Sequence, residues 1–294
     1  MLRGMLLPLR DHNPSERTPW VTRALIAVNV VVFLAYLPLF GDARALMAFF
    51  LEWGVVPRSV SSGEGLGGLV TSQFLHGGWL HLGFNMLFLW IFGDNIEEEL
   101  GHLRYLGFYL VCGVVAALAQ VAAEPFSTVP MVGASGAIAG VLGGYLLMFP
   151  RARVDVLFFF IILIRIVPLP AWLLLGGWFA LQVLGGLSSP PGSGGVAYWA
   201  HAGGFVAGLV LAVPLWLRRG GPAYWRRTLG APPHPEAQYR LVRSRVPRAG
   251  RRRDAPPPSG AGPWGRRPGG REGPATRVPR ETGSLFPKVP RKRP

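Results

Sequence analysis

The sequence predicts an all-α membrane protein, with six transmembrane helices followed by a disordered basic C-terminal tail. Three observations lead there. Half of the 294 residues are hydrophobic and 15% are charged, well under the roughly 25% charged residues of an average soluble protein. Apolar runs recur near the length of about 20 residues that a helix needs to cross a hydrocarbon core roughly 30 Å thick. Charge is also divided unevenly: residues 1–217 hold 10 Lys and Arg against 11 Asp and Glu, while residues 218–294 hold 20 against 4.

The six runs are Val21–Phe40, His81–Ile96, Leu103–Ala123, Gly133–Phe149, Pro170–Leu187 and Val196–Leu217. They divide the chain into a cytoplasmic N-terminal segment at 1–20, a six-helix domain at 21–217 and a tail at 218–294. Ala43-Arg44-Ala45 after the first run has the look of a signal-peptide cleavage site. The long polar leader and Asn29 within the run favour a retained helix instead. A seventh run, Val156–Val167, is about twelve residues long, contains Arg165 and ends at Pro168, so it is expected to be an interfacial or re-entrant segment.

The positive-inside bias fixes the expected orientation. With a cytoplasmic N-terminus, the inner segments carry Arg3, Arg10, Arg17, Arg23, Arg104, Arg151, Arg153, Arg165 and the tail, and the outer ones carry Arg44 and Arg58. Both termini are then cytoplasmic. The tail holds 15 of the 28 prolines and Arg/Gly stretches such as Arg251-Arg252-Arg253, with too few apolar residues for a core. It reads as a solvated segment that fixes topology. Contact with anionic lipids is the alternative partner, and no nucleic acid is expected. Cys112 is the single cysteine, which excludes an intrachain disulfide, and no Cys/His cluster suggests a metal.

Polar side chains inside spans are costly and are functional candidates by default. His81 and Asn85 open the second span, Ser135 opens the fourth and His201 lies in the sixth; Asn29, Gln120 and Gln182 complete the set, the two glutamines read as interhelical hydrogen-bond formers. Spans two, four and six all begin on the outer side in this topology, so His81, Asn85, Ser135 and His201 should converge at one shallow depth. His81 and Asn85 share a helical face. Ser135 sits in Gly133-Ala134-Ser135-Gly136, a helix start whose free N–H groups favour a developing oxyanion. Gly136, Gly140 and Gly144 repeat every fourth residue, as do Gly204 and Gly208, and such faces let membrane helices approach closely. That brings His201 within reach of Ser135 as a general base.

The runs Gly133-Ala134-Ser135-Gly136-Ala137-Ile138-Ala139-Gly140 and Ala200-His201-Ala202-Gly203-Gly204 with Gly208, together with His81-x-x-x-Asn85, resemble the signature of the rhomboid family of intramembrane serine proteases. Trp53-Gly54-Val55-Val56-Pro57 and Glu97-x-x-x-Gly101 are similar to further family segments, and the resemblance covers roughly residues 20–217. It implies a six-helix rhomboid-like bundle that cleaves transmembrane substrates near the outer surface of a bacterial cell membrane, without metal, ATP or a third catalytic acid. It implies Ser135 as nucleophile, His201 as base, and His81, Asn85 and the Ser135 N–H as the oxyanion hole. The fifth helix with residues 188–195 would form a gate and cap, and Glu97 would be a structural hydrogen-bonding residue. Ala139 departs from the bulky residue that many members carry, leaving a gap beside His201 unless another side chain fills it. The first loop also lacks the Trp-Arg pair of some bacterial members.

Two rival readings remain in view. A catalytically silent relative that binds membrane clients would typically lack the serine or the histidine, and both are present. A transporter would call for a deep acidic pair or a two-half repeat, neither of which is apparent. Metalloprotease and aspartyl protease chemistry lack their residues.

Overall fold

The computed structural model describes residues 5–160, 163–190 and 195–233. Six of its helices coincide with the six expected apolar runs: α1 (Trp20–Tyr36), α5 (Trp79–Leu100), α6 (His102–Ala123), α7 (Ser135–Met148), α8 (Ala171–Ser188) and α9 (Tyr198–Arg218). Three short helices, α2 (Ala43–Trp53), α3 (Pro57–Ser61) and α4 (Gly68–Thr71), fill the loop between α1 and α5. Among the described residues, four helical stretches are long and apolar enough to cross a membrane: Trp20–Gly41, where a 3₁₀ turn extends α1, and α6, α8 and α9. α5 carries Asp94, Glu97, Glu98 and Glu99 in its last two turns, and α7 has 14 residues. Leu80, Leu103 and Leu187 are each at least 70% exposed. Outward apolar side chains of this kind suit a hydrocarbon surrounding rather than water.

α7 is the central helix. It packs against α5, α6, α8 and α9, and almost every residue from Gly136 to Tyr145 is buried. Two glycine-lined seams make this density possible. On one, a methyl group at Gly136 or Gly140 would meet the side chains of Ala116 and Cys112 on α6. On the other, a methyl at Gly204 or Gly208 of α9 would meet the carbonyl oxygens of Gly136 and Gly140 at 2.1 and 1.8 Å. Backbones this close tolerate no Cβ.

The end of the bundle away from Ser135 is held by buried acids. Glu97 accepts hydrogen bonds from the backbone N–H groups of Val21 (2.8 Å) and Thr22 (2.7 Å) and from the Thr22 hydroxyl (2.7 Å). It thereby satisfies orphan donors at the start of α1, the structural role that the resemblance implied for it. Gly101, at φ +78°, turns the chain between α5 and α6.

Three strands correct the all-α expectation. The run expected to be interfacial or re-entrant is instead an antiparallel pair, β2 (Arg153–Phe160) and β3 (Leu163–Pro170). β1 (Met5–Asp11), from the expected N-terminal segment, adds to β2 in the order β1-β2-β3. Pro8 is tolerated because β1 is an edge strand and its register with β2 slips between Pro8 and Arg10. Asp155 on β2 clamps β1 through Arg10 Nε (2.8 Å) and His12 Nε2 (2.9 Å). Burial pushes the Asp155 carboxyl up, but the hydrogen bonds from His12 and Arg10 outweigh it and hold the group below its usual range. Tyr145, near the end of α7, donates to Asp11 at 2.7 Å.

The ordered chain also runs past the boundary expected at residue 218. α10 (Pro222–Thr228) follows α9. Tyr224 is buried there, and Trp225 Nε1 donates to the Leu147 carbonyl at 3.0 Å. Arg219 pairs with Glu99 at 2.7 Å. The aromatic residues at 224 and 225 supply the apolar area that the tail's overall composition conceals. Residues 234–294 of the expected disordered tail lie outside the described residues.

Candidate active site

Ser135 is the first residue of α7, and its N–H belongs to the first helical turn, where backbone donors have no intrahelical acceptor. The loop that delivers it is pinned twice. Val55 and Met131 exchange backbone hydrogen bonds of 3.0 and 2.8 Å, and the Gly133 N–H donates to the Ser72 carbonyl at 2.9 Å. Val55 belongs to the Trp53–Pro57 segment, so that segment ties the first loop to the strand of chain entering α7.

His201, in the first turn of α9, faces Ser135 across the glycine seam. Its Nε2 lies 2.8 Å from Ser135 Oγ and its Nδ1 lies 2.8 Å from Gln182 Oε1. The seam sets this distance, since Gly204 is three residues after His201 and rests against Gly136, the neighbour of Ser135. A half-open cavity of about 470 Å³ is lined by Ser135, His201, His81, Asn85, Gly133 and Ser72, among others.

His81 and Asn85 reach this cavity from one face of α5, four residues apart. The Gly77 N–H donates to His81 Nδ1 at 3.3 Å. A neutral ring accepting at Nδ1 carries its proton on Nε2, and Nε2 is the atom that approaches Gly133. A methyl group at Gly133 would sit 2.8 Å from it and push the ring away, and the φ of +137° there itself calls for glycine. Asn85 is buried, and its Nδ2 has no partner within the protein. A buried amide donor with no acceptor in the protein is free to donate to a ligand oxygen.

The structure thus brings together the four polar residues that the sequence singled out on three spans, with Gly133, Gly136, Gly140, Gly204 and Gly208 providing the close approach. Gln120 accepts from the Ala200 N–H at 3.2 Å, the interhelical bond expected of it. Gln182 also bonds between helices, but its partner is the His201 ring. Trp178, one turn earlier on α8, packs its ring against His201 with centroids 5.7 Å apart at 34°. It is the bulky neighbour that Ala139 does not supply.

The sequence reading missed His76 as well as Trp178. The His76 ring is fully buried, meets His81 edge-on at 5.2 Å and has no hydrogen-bond partner on either nitrogen. No spacing rule links these residues to the site, because they arrive from a loop and from a different helix. Among the described residues no group of three His, Cys, Asp or Glu side chains could hold a metal ion.

A serine hydroxyl at a helix start lies 2.8 Å from an imidazole nitrogen, and two further polar side chains, His81 and Asn85, reach the same cavity inside the helical bundle. Comparison with known proteins gives the class. The rhomboid domain model matches residues 64–218, over half of the chain, and the chain belongs to the rhomboid family as an integral membrane protein. It is 30% identical over 196 residues to "Rhomboid protein 1, mitochondrial" of Saccharomyces cerevisiae, covering 64% of this chain and 51% of that protein. It is 34% identical over 131 residues to "Rhomboid protease GluP" of Bacillus subtilis, covering 44% of this chain and 24% of that one. A third relative, "RHOMBOID-like protein 4" of Arabidopsis thaliana, is 32% identical over 185 residues, which is 62% of this chain and 42% of the relative. The matches therefore span about half or less of these relatives' lengths.

Proposed function

We propose that this protein is an intramembrane serine endopeptidase that hydrolyses peptide bonds in or near the transmembrane segments of membrane-protein substrates. The observation that carries the reading is the 2.8 Å contact between His201 Nε2 and Ser135 Oγ, at a helix start beside an unpartnered Asn85 donor. Membership of a family with named proteases supports it.

In this reading His201 takes the Ser135 proton as the hydroxyl attacks the scissile carbonyl. Negative charge developing on the carbonyl oxygen is met by His81 Nε2–H, Asn85 Nδ2–H and the Ser135 N–H. The protonated His201 then gives its proton to the leaving amine as the C–N bond breaks. Water, activated by the same ring, hydrolyses the acyl-enzyme and returns the serine. The pair needs no cofactor.

The six apolar helices are read as six spans, with both termini cytoplasmic and the cavity opening toward the outer side. α7, at 14 residues, is about 21 Å long, short of a hydrocarbon core of roughly 30 Å, and a short central helix suits a catalytic serine recessed below a membrane surface. α8 is read as the gate and the basic tail as a contact for anionic lipids; the cap expected at residues 188–195 lies partly outside the described residues.

The test is proteolysis by the purified full chain in proteoliposomes against a panel of single-span substrates, wild type beside Ser135→Ala. Cleavage by the wild type alone is the expected result. Equal cleavage by a folded Ser135→Ala would refute the mechanism, and an intact panel with the wild type would favour a silent client-binding relative.

A further inference from the structure

A general base works from one tautomer. To accept the Ser135 proton, His201 must present a bare Nε2 and carry its hydrogen on Nδ1, and a neutral imidazole free in its site populates both forms. Whatever accepts from Nδ1 selects the productive one. We propose that Gln182 is that acceptor, a positioning residue that orients His201 and fixes its tautomer; the proposal rests on the reading of Ser135 and His201 as the catalytic pair.

The amide orientation follows from its two contacts. Gln182 Oε1 lies 2.8 Å from His201 Nδ1, while Gln182 Nε2 donates to the Trp178 carbonyl at 3.4 Å. Reversing the amide would place two oxygens against each other at Trp178 and turn the NH₂ group toward Nδ1. Nδ1 would then have to accept, and Nε2 would hold the proton. The backbone of α8 therefore sets the amide, and the amide sets the ring.

Burial supports the same assignment. α8 is an apolar helix whose buried residues are Ala171, Leu175 and Gln182, so its one buried polar side chain is the one aimed at the base. An unbonded amide in that position would carry a desolvation penalty, which the contacts to His201 and Trp178 relieve. Trp178 and Gln182 are four residues apart and share a face; the indole packs on the ring while the amide holds its edge. An amide orients the ring without adding charge. The other groups facing His201 are Ser135 on α7 and, across the cavity, His81 on α5.

The experiment compares wild type, Ser135→Ala, Gln182→Leu and Gln182→Glu as full chains on one single-span substrate, with kcat, KM, melting temperature and the pH profile of kcat/KM for each active form. Gln182→Leu should lower kcat about 10–100-fold, the size of loss seen when the partner that orients a metal-bound histidine is removed, with KM within about twofold and the fold retained. Gln182→Glu should keep activity and move the acidic limb of the profile upward by about one pH unit or more, because an adjacent carboxylate favours the imidazolium. A role confined to packing would move no pH limb. Wild-type kcat in Gln182→Leu, or an unmoved acidic limb in active Gln182→Glu, would overturn the proposal and leave the protease reading standing. Cleavage that survives in Ser135→Ala would instead overturn the protease reading on which it rests.

Discussion

Replacing Gly204 by alanine tests whether the glycine seam sets the catalytic distance. The added methyl would lie 2.1 Å from the Gly136 carbonyl oxygen and 3.0 Å from its carbon, and ordinary contact begins near 3.4 Å. α9 must therefore retreat from α7 by about 1.3 Å at this level. His201 is less than one turn away, and a shift of that size carries its 2.8 Å contact with Ser135 past hydrogen-bonding distance. A misplacement of about 1 Å can cost 10²-fold in rate, so kcat should fall about 10²-fold. Overpacking should also destabilise by about 1–3 kcal/mol. Gly107→Ala on α6 is the control, since nothing lies within 4 Å of its methyl position; it should keep wild-type kcat and gain slightly from helix propensity. The assay is steady-state cleavage of one substrate with thermal melts on all three proteins. A Gly204→Ala protein with kcat within threefold of wild type and an unchanged melt would show that the seam does not hold the pair.

Asn85→Ala should reduce kcat by roughly 10²–10³ while leaving KM nearly unchanged, as expected for one oxyanion donor among several; a kcat within threefold of wild type would remove Asn85 from that role. Attachment of β1 should depend on pH through Asp11. Burial raises this carboxyl from 3.8 to about 7, against the hydrogen bond from Tyr145, which lowers it. The folded state therefore keeps a proton that the unfolded chain releases, so the contribution is complete below about pH 4 and is lost as pH rises through about 7. Hydrogen-exchange protection of β1 should fall between pH 5 and 8 in wild type, and Asp11→Asn should flatten that dependence.

Much of the site could be read from residue type and spacing because membrane helices penalise polar side chains. His81, Asn85, Ser135 and His201 had few structural reasons to be where they are, and the glycines at four-residue intervals announced the close helix contact. Gln182 was visible for the same reason, but its partner was not, because the sequence does not specify which face of α8 meets α9. The sheet escaped notice for a different cause. Apart from Arg165, Val156–Val167 is apolar, so a strand pair buried on one side by α-helices shows no period-two alternation, and length favoured a membrane segment. β1 is masked by Pro8, which ordinarily argues against a strand and is allowed here by its edge position. Tyr224 and Trp225 were submerged in the arginines, prolines and glycines around them.

The pairing of β1 with β2 imposes a parity rule on the whole chain. Two strands hydrogen-bonded to each other must lie on the same side of a bilayer, so the polypeptide between Asp11 and Arg153 has to traverse it an even number of times. If α1, α5, α6 and α7 are taken as crossings, as in the proposed six-span arrangement, four fall in that interval, and four satisfies the rule. An arrangement in which any one of them stayed at the surface, or in which the short helices α2–α4 added a single crossing, would separate Arg10 and His12 from Asp155 by the full thickness of the membrane. A sheet of three short strands thus acts as an internal check on how the chain is threaded, and insertion errors that change the count would leave β1 with no strand to join.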